Sequence, residues 1–394
     1  MNVTPDIHQP SKLKELEKIN PFRVMTVMHR AAVLEAEGRK IVHMEVGEPD
    51  FNTATPIIEA AKRALDAGFT HYTAAAGIDE LRCAVADHYL ERYGVRVAKE
   101  RILVTPGASG GLSLLANLLV GEGDGVLITD PAYPCVRNFI QLMNASPQLV
   151  PVDRSRNFQP TVQQLEGAAD SSTSGVWLAS PSNPTGTILD REALTEIGAW
   201  CADKSLHLLV DEIYHGLHYV DDLPSVLEID DSAFVVNSFS KYFGMTGWRL
   251  GWIVVPDYAV DKANILAQNF YISPSSIAQH AALAGFTEAA RLILEQRRQN
   301  FRERRDFLCA SLHEIGFILA EEVQGAFYAY ADVSAFSENS EQFCRDMLEN
   351  HGVAITPGTD FGDFKARQFV RFAFTTSMDD LALGVERLRC ALQG

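Results

Sequence analysis

From about residue 55 onward, short apolar runs rich in Val, Ile and Leu alternate with longer amphipathic stretches, and this alternation constrains the fold more than any other feature. Strands that read as unbroken apolar runs are buried on both faces, so they call for a mostly parallel sheet wrapped by helices. The runs Arg101–Thr105, Gly125–Asp130, Gly175–Ser180, Leu206–Asp211 and Phe234–Ser240 each end in small or polar residues. In an open α/β sheet, ligand groups sit at such strand ends. After Glu288 the pattern changes to one long charged helix, followed by shorter strand candidates around Ala326–Ala331 and Phe369–Phe374. The expected architecture is α/β, with a large domain over residues 48–285 and a smaller α+β domain over 286–394. The N-terminal segment, 1–47, lacks the alternation and is expected to cross back onto that smaller domain. A chain of 394 residues has room for both.

Charge narrows the partners. Asp and Glu number 51 against 34 Lys and Arg, a formal net charge of -17 that repels phosphate backbones and anionic membranes. Nucleic acid and lipid are therefore not expected partners. The six cysteines never form a C-x-x-C pair, which argues against a zinc ribbon or a thioredoxin-type motif and for reduced, mostly buried thiols. The first twenty residues contain no apolar signal core, and the longest apolar stretches, such as Leu112–Val120, are too short to span a bilayer. A cytoplasmic protein is expected.

Four segments carry possible chemistry. Thr105-Pro-Gly-Ala-Ser-Gly-Gly111 lies between an apolar strand and a helix, where glycines let an anion approach the helix N-terminus. The same residues fit a plain tight turn, or a G-x-S-x-G nucleophile elbow with Ser109 at its centre. Ser238-Phe-Ser-Lys241 places an amine at a strand exit, with Arg249 eight positions on. An imine-forming lysine needs burial or a neighbouring positive charge to lower its pKa; the alternative is a solvated loop lysine. The S-x-x-K spacing also occurs in penicillin-recognising enzymes, but no K-T-G or K-S-G is present. Asp211 closes an apolar run and needs a cationic partner such as a protonated ring nitrogen, unless it is a helix cap. Asn183, between two prolines and a glycine, is either a rigidly held amide or part of an ordinary turn. His215 and His218 lack further spaced ligands, so no metal is assigned.

In chain order, Glu45-Val-Gly-Glu-Pro-Asp50, the glycine turn, Asp130-Pro-Ala-Tyr133-Pro134, the N-P-T-G turn, Asp211-Glu-Ile-Tyr214, S-F-S-K, G-W-R-L-G and Val370-Arg371-Phe span nearly the whole chain. This set resembles the fold-type I pyridoxal-phosphate enzymes, specifically the class I/II aminotransferases. The resemblance implies an aspartate-aminotransferase-like fold and pyridoxal 5'-phosphate as cofactor. Lys241 resembles the lysine that carries the cofactor as an imine and moves the substrate proton. Asp211 resembles the partner of the pyridine nitrogen, Tyr214 and Asn183 the groups bonding the ring hydroxyl oxygen, and Tyr133 the aromatic stacked on the ring. Ala108 and Ser109, with Ser238 and Arg249, resemble the phosphate cup. Tyr72, in His71-Tyr-Thr-Ala-Ala-Ala-Gly77, resembles a tyrosine that reaches a phosphate across a homodimer interface. Arg371 resembles the arginine that grips the substrate α-carboxylate, assisted by Asn183 and the backbone around Gly47.

The implied reaction is a ping-pong transfer of the α-amino group from an amino acid to a 2-oxo acid. Lyases, decarboxylases and synthases of the same fold share the cofactor residues and stand as alternatives. A serine hydrolase using Ser109 with a histidine such as His280 is another, but it leaves Lys241, Asn183 and Arg249 unexplained. The aminotransferase-like module of some transcription regulators carries an extra DNA-binding domain, whereas only about 45 residues precede Gly47 here. A second arginine would suit dicarboxylate substrates; Arg23, Arg30 and Arg137 are the candidates, and nothing around them in the sequence distinguishes them from surface charges.

Overall fold

Residues 16–19, 21–320 and 322–393 are described by a computed structural model. The strands are β1 (Val42–His43), β2 (Ile102–Thr105), β3 (Gly125–Asp130), β4 (Ser146–Pro151), β5 (Thr173–Ala179) and β6 (His207–Asp211). They continue with β7 (Phe234–Ser238), β8 (Gly251–Val254), β9 (Tyr328–Asp332), β10 (Val353–Ala354), β11 (Thr356–Pro357) and β12 (Phe369–Ala373). Seven of them form one sheet in the order β2-β8-β7-β6-β5-β3-β4. All neighbours from β7 to β4 are parallel, while β8 runs antiparallel to both β2 and β7.

The apolar runs form strands because both of their faces are covered. In β6, Leu208 and Val210 join one apolar cluster and Leu209 joins another; Val235 and Val236 of β7 divide in the same way. On the second face lie the helices Gly107–Leu119 and Val260–Tyr271, through Leu112, Leu115, Ala263 and Ala267. The other face is covered by Asp79–Tyr93, Arg191–Lys204, Ser276–Leu283 and the long helix Glu288–Ile315. Each fully buried aliphatic side chain stabilises by about 1.5–3 kcal/mol relative to exposure, so a one-residue register slip would be costly.

Two strands of the large sheet were not named from the sequence. β4 is a half-exposed edge strand containing two prolines, which blurs its apolar signal, and β8 follows directly on the Gly-Trp-Arg segment. Strand ends also move: Arg101 belongs to the preceding turn, and β7 stops at Ser238.

The remaining strands lie outside the large sheet. β11, β12 and β9 form an antiparallel three-stranded sheet, and β1 pairs with β10 in parallel. The backbone N–H of Arg23 donates to Asp360, and Arg30 makes a two-pronged pair with Glu349 at 2.6 and 2.7 Å. Both contacts bind the helix Arg23–Ala36 to the C-terminal third of the chain. Residues 1–15 and 20 of the N-terminal segment lie outside the described residues.

The expectation of mostly buried thiols needs correction. Only Cys201 and Cys344 are buried, whereas Cys83 and Cys390 are exposed on the outer faces of helices. Among the described residues, no helix is long and apolar enough to cross a membrane.

Candidate active site

The parallel strands deliver polar groups to one edge of the sheet. Tyr133 follows β3, Asn183 follows β5, Asp211 ends β6, and Ser238 and Lys241 lie at and beyond the end of β7. Ala108 and Ser109 enter from the start of the helix Gly107–Leu119, Gly47 from the segment after β1, and Arg371 from the middle of β12. These residues, with Tyr214 and Arg249, line one cavity of about 440 Å³. Of the site residues expected from the sequence, only Tyr72 is outside it: its side chain is 81% exposed at the surface of its own chain.

Lys241 is part-buried, and its Nζ donates to the Gly47 carbonyl at 2.9 Å. Loss of solvent and then the Arg371 charge lower its pKa to about 8, with Arg249 acting in the same direction against Glu48 and Asp211. Neutral amine is therefore accessible close to neutral pH. Burial raises the Asp211 carboxyl to about 7, opposed by the Ile213 N–H at 3.0 Å and by Lys241. Such an acid is poised to ionise when a cation is placed against it.

Arg371 is buried between aromatic faces, its guanidinium carbon 4.2 Å from the ring centre of Tyr328 and 4.7 Å from that of Phe361. Nη1 donates to Asn183 Oδ1 at 2.9 Å and Nη2 to the Glu45 carbonyl at 2.5 Å. Its Nε is buried without a partner. The flanking Phe369, Val370, Phe372 and Phe374 are buried, so the strand carries this arginine inward. Arg371 lines the cavity, and a planar guanidinium there suits a carboxylate.

The helix Gly107–Leu119 begins at Pro106 without a side-chain cap, and Ala108 and Ser109 of its first turn line the cavity together with Ser238 and Arg249. A Cβ on Gly107 (φ +71°) would come within 2.5 Å of Arg249 Nη2. A Cβ on Gly251 would come within 2.8 Å of the Ala108 nitrogen. Arg249 itself has φ 53°, a left-handed conformation that costs on the order of 1–3 kcal/mol outside glycine. Uncapped N–H groups, two hydroxyls and one guanidinium form an anion cradle. Beside it lie an aromatic ring (Tyr133), a buried acid and an amine with a lowered pKa, a donor set that fits the phosphate, ring, ring nitrogen and aldehyde of pyridoxal phosphate.

Several residues of this cavity were not singled out from the sequence. Phe22, Val24 and Met25 form an apolar part of its wall, and Glu48, Thr246 and Tyr328 also line it. Tyr328 had a weak signal, an aromatic in a strand candidate; Phe22–Met25 had none, being far from the other site residues in the chain. The candidate second arginines are engaged elsewhere: Arg23 with Glu341 at 2.5 Å, Arg30 with Glu349, and Arg137 with Asp363 at 3.0 Å. His280 stacks on Phe69 with ring centres 4.2 Å apart, away from Ser109, and His215 bonds Tyr93 at 2.7 Å.

Comparison with known proteins places the chain. It belongs to the aminotransferase class I and II family, whose model matches residues 39–388. It is 37% identical over 372 residues to the valine–pyruvate aminotransferase of Mycobacterium tuberculosis, covering 94% of this chain and 96% of that one. It is 33% identical over 379 residues to an aspartate aminotransferase of Pyrococcus horikoshii, covering 95% and 96%. Among solved structures, a Thermus thermophilus aspartate aminotransferase variant superposes with a TM-score of 0.91 at 31% identity, covering 96% and 99%. The protein is a pyridoxal-phosphate-dependent transaminase that moves an amino group between an amino acid and a 2-oxo acid. The lyase, synthase and hydrolase alternatives give way to this assignment.

Proposed function

We propose that transamination runs through Lys241 by a ping-pong sequence, with amino acids of neutral, apolar side chain as preferred donors. The observation that carries this reading is that Lys241, its pKa lowered to about 8, and the buried guanidinium of Arg371 line one cavity. Bound pyridoxal phosphate contributes an aldehyde carbon for imine exchange and a ring that withdraws electrons from the substrate.

The rest is done by the chain. Ala108, Ser109, Ser238 and Arg249 hold the phosphate, and Tyr133 lies against the ring. Asp211 ionises against the ring nitrogen and keeps it protonated, which strengthens electron withdrawal. Tyr214 and the Asn183 amide orient the ring oxygen. Arg371 takes the α-carboxylate in two-pronged fashion, with Asn183 and the backbone at Gly47 completing that end. In its neutral form the Lys241 Nζ would move the Cα proton. The rings of Tyr328 and Phe361 pack on Arg371 and that of Phe327 lies near Lys241, which makes this end of the site largely apolar around its charges.

The donor preference rests on the walls. Among the described residues, Arg249 and Arg371 are the only arginines lining the cavity, and both have assigned anions. Phe22, Val24 and Met25 offer apolar surface instead of a partner for a second carboxylate. The relative named for valine and pyruvate agrees with this, and those named for aspartate do not.

The same reading takes 48–285 as the cofactor-carrying domain and the remainder as the domain that brings Arg371. It makes the enzyme a cytoplasmic homodimer, with Tyr72 reaching the partner's phosphate. Exposed apolar residues Phe69, Tyr72 and Ile272 support that interface, because Gln279 ties their chain segments together, bonding Thr73 and the Pro274 carbonyl.

The test is absorption of the purified holoenzyme in the visible range. Valine or alanine should deplete the Lys241-dependent band, and the corresponding 2-oxo acids should restore it, at lower concentrations than aspartate and oxaloacetate. Lys241→Ala should abolish both the band and turnover. Turnover surviving that substitution would refute the lysine's role, and a preference for aspartate would refute the substrate assignment alone.

A further inference from the structure

We infer that Tyr328 is a positioning residue that couples the two ends of the site, donating a hydrogen bond to Tyr214 while its ring supports Arg371. This rests on the proposed role of Tyr214 at the ring oxygen of the cofactor. Tyr328 is the first residue of β9, paired with Ala373 of β12, and is only 2% exposed although it lines the cavity. Three of its contacts reach groups of the site. Its hydroxyl lies 3.0 Å from that of Tyr214, with the two rings edge to face at 5.8 Å. Its ring face lies 4.2 Å under the Arg371 guanidinium carbon. Its hydroxyl also fills the space beside Gly47, where a Cβ would fall 1.6 Å from that oxygen. Gly47 in turn accepts the Lys241 Nζ hydrogen bond at 2.9 Å.

The direction of the tyrosine pair follows from counting protons. Each phenol has one hydrogen to give. If Tyr214 gives its hydrogen to the cofactor's ring oxygen, it can only accept from Tyr328, so the order runs Tyr328, Tyr214, ring oxygen. A donor that itself accepts a hydrogen bond is a stronger donor. Tyr328 therefore stabilises negative charge on that oxygen from the second position. Removing its hydroxyl leaves more charge there, and the proton shared between that oxygen and the Lys241 nitrogen is held more tightly.

The measurement is the pH midpoint of the visible band of the holoenzyme, in a double-mutant cycle of Tyr214→Phe and Tyr328→Phe, with cofactor dissociation constants measured alongside. Tyr214→Phe should raise the midpoint by roughly one unit and Tyr328→Phe by a few tenths, the scale of one hydrogen bond passed through another. The double variant should match Tyr214→Phe alone, because the second hydroxyl reaches the ring oxygen only through the first. Tyr328→Phe keeps its ring over Arg371 and should leave the KM for valine within about twofold, whereas Tyr328→Leu should raise it about tenfold. A midpoint moved by Tyr214→Phe but not by Tyr328→Phe, or additive shifts in the double variant, would overturn the coupling and leave the role of Tyr214 standing. No movement with Tyr214→Phe would remove the role of Tyr214 and the coupling with it.

Discussion

Asp211 carries a conflict that a bound cation resolves. Burial lifts its carboxyl from the ordinary 3.8 to about 7, so ionising it in the folded chain is unfavourable. Below about pH 4 the acid is protonated whether folded or unfolded and the conflict is absent. As pH rises towards 7 the unfolded chain gives up the proton first, so folded-state stability falls across that window. Asp211→Asn should therefore make the cofactor-free protein more stable than wild type at pH 8, by on the order of 1–4 kcal/mol, with the gain vanishing near pH 4. Urea denaturation at the two pH values checks this; an equal effect at both would refute it. The same variant should bind the cofactor but turn over far more slowly, having lost the charge that keeps the ring protonated. That Asp211 ends a strand was legible in the local pattern. Its buried state depends on neighbours that the local pattern does not name.

At the level of elements, the phosphate end is a junction of β2, the helix Gly107–Leu119 and the turn that carries Arg249. Gly107 takes φ +71°, and its missing Cβ leaves room for the Arg249 guanidinium. Gly107→Ala should displace that flexible end without unfolding the sheet, weakening cofactor binding about tenfold, the scale of one charge-assisted hydrogen bond. Cofactor titration followed by tyrosine and tryptophan fluorescence, with far-ultraviolet circular dichroism as a check on folding, gives the result; unchanged affinity would refute the cradle. That the glycines mark a strand-to-helix turn was readable, but the local residues left an anion site, a plain turn and a nucleophile elbow equally open. Edge strand β4 was not readable, since half-exposed residues and prolines carry little periodic signal. β8 was hidden in another way, its short run Gly251–Val254 abutting a segment whose residues pointed to binding.

For the whole molecule, the exposed Tyr72 and its apolar neighbours set the expectation of a dimer with shared sites. Tyr72→Phe should leave the sedimenting species unchanged while weakening cofactor binding about five- to tenfold, the loss of one hydrogen bond to an anion. Wild-type protein that sediments as a monomer and still binds the cofactor tightly would refute the shared site.

The local sequence was sufficient for the α/β alternation, the strand-end residues Asp211 and Asn183, the glycine turn and the strand around Arg371, because each depends on the period or chemistry of a few adjacent residues. Tertiary structure alone decided the rest. It brought Tyr328 between Arg371 and Tyr214, set Phe22–Met25 in the cavity wall, and drew Arg23, Arg30 and Arg137 into ion pairs with distant carboxylates. Contacts between residues tens to hundreds of positions apart leave no periodic trace in the chain, since they form only when separate elements bury their apolar faces together.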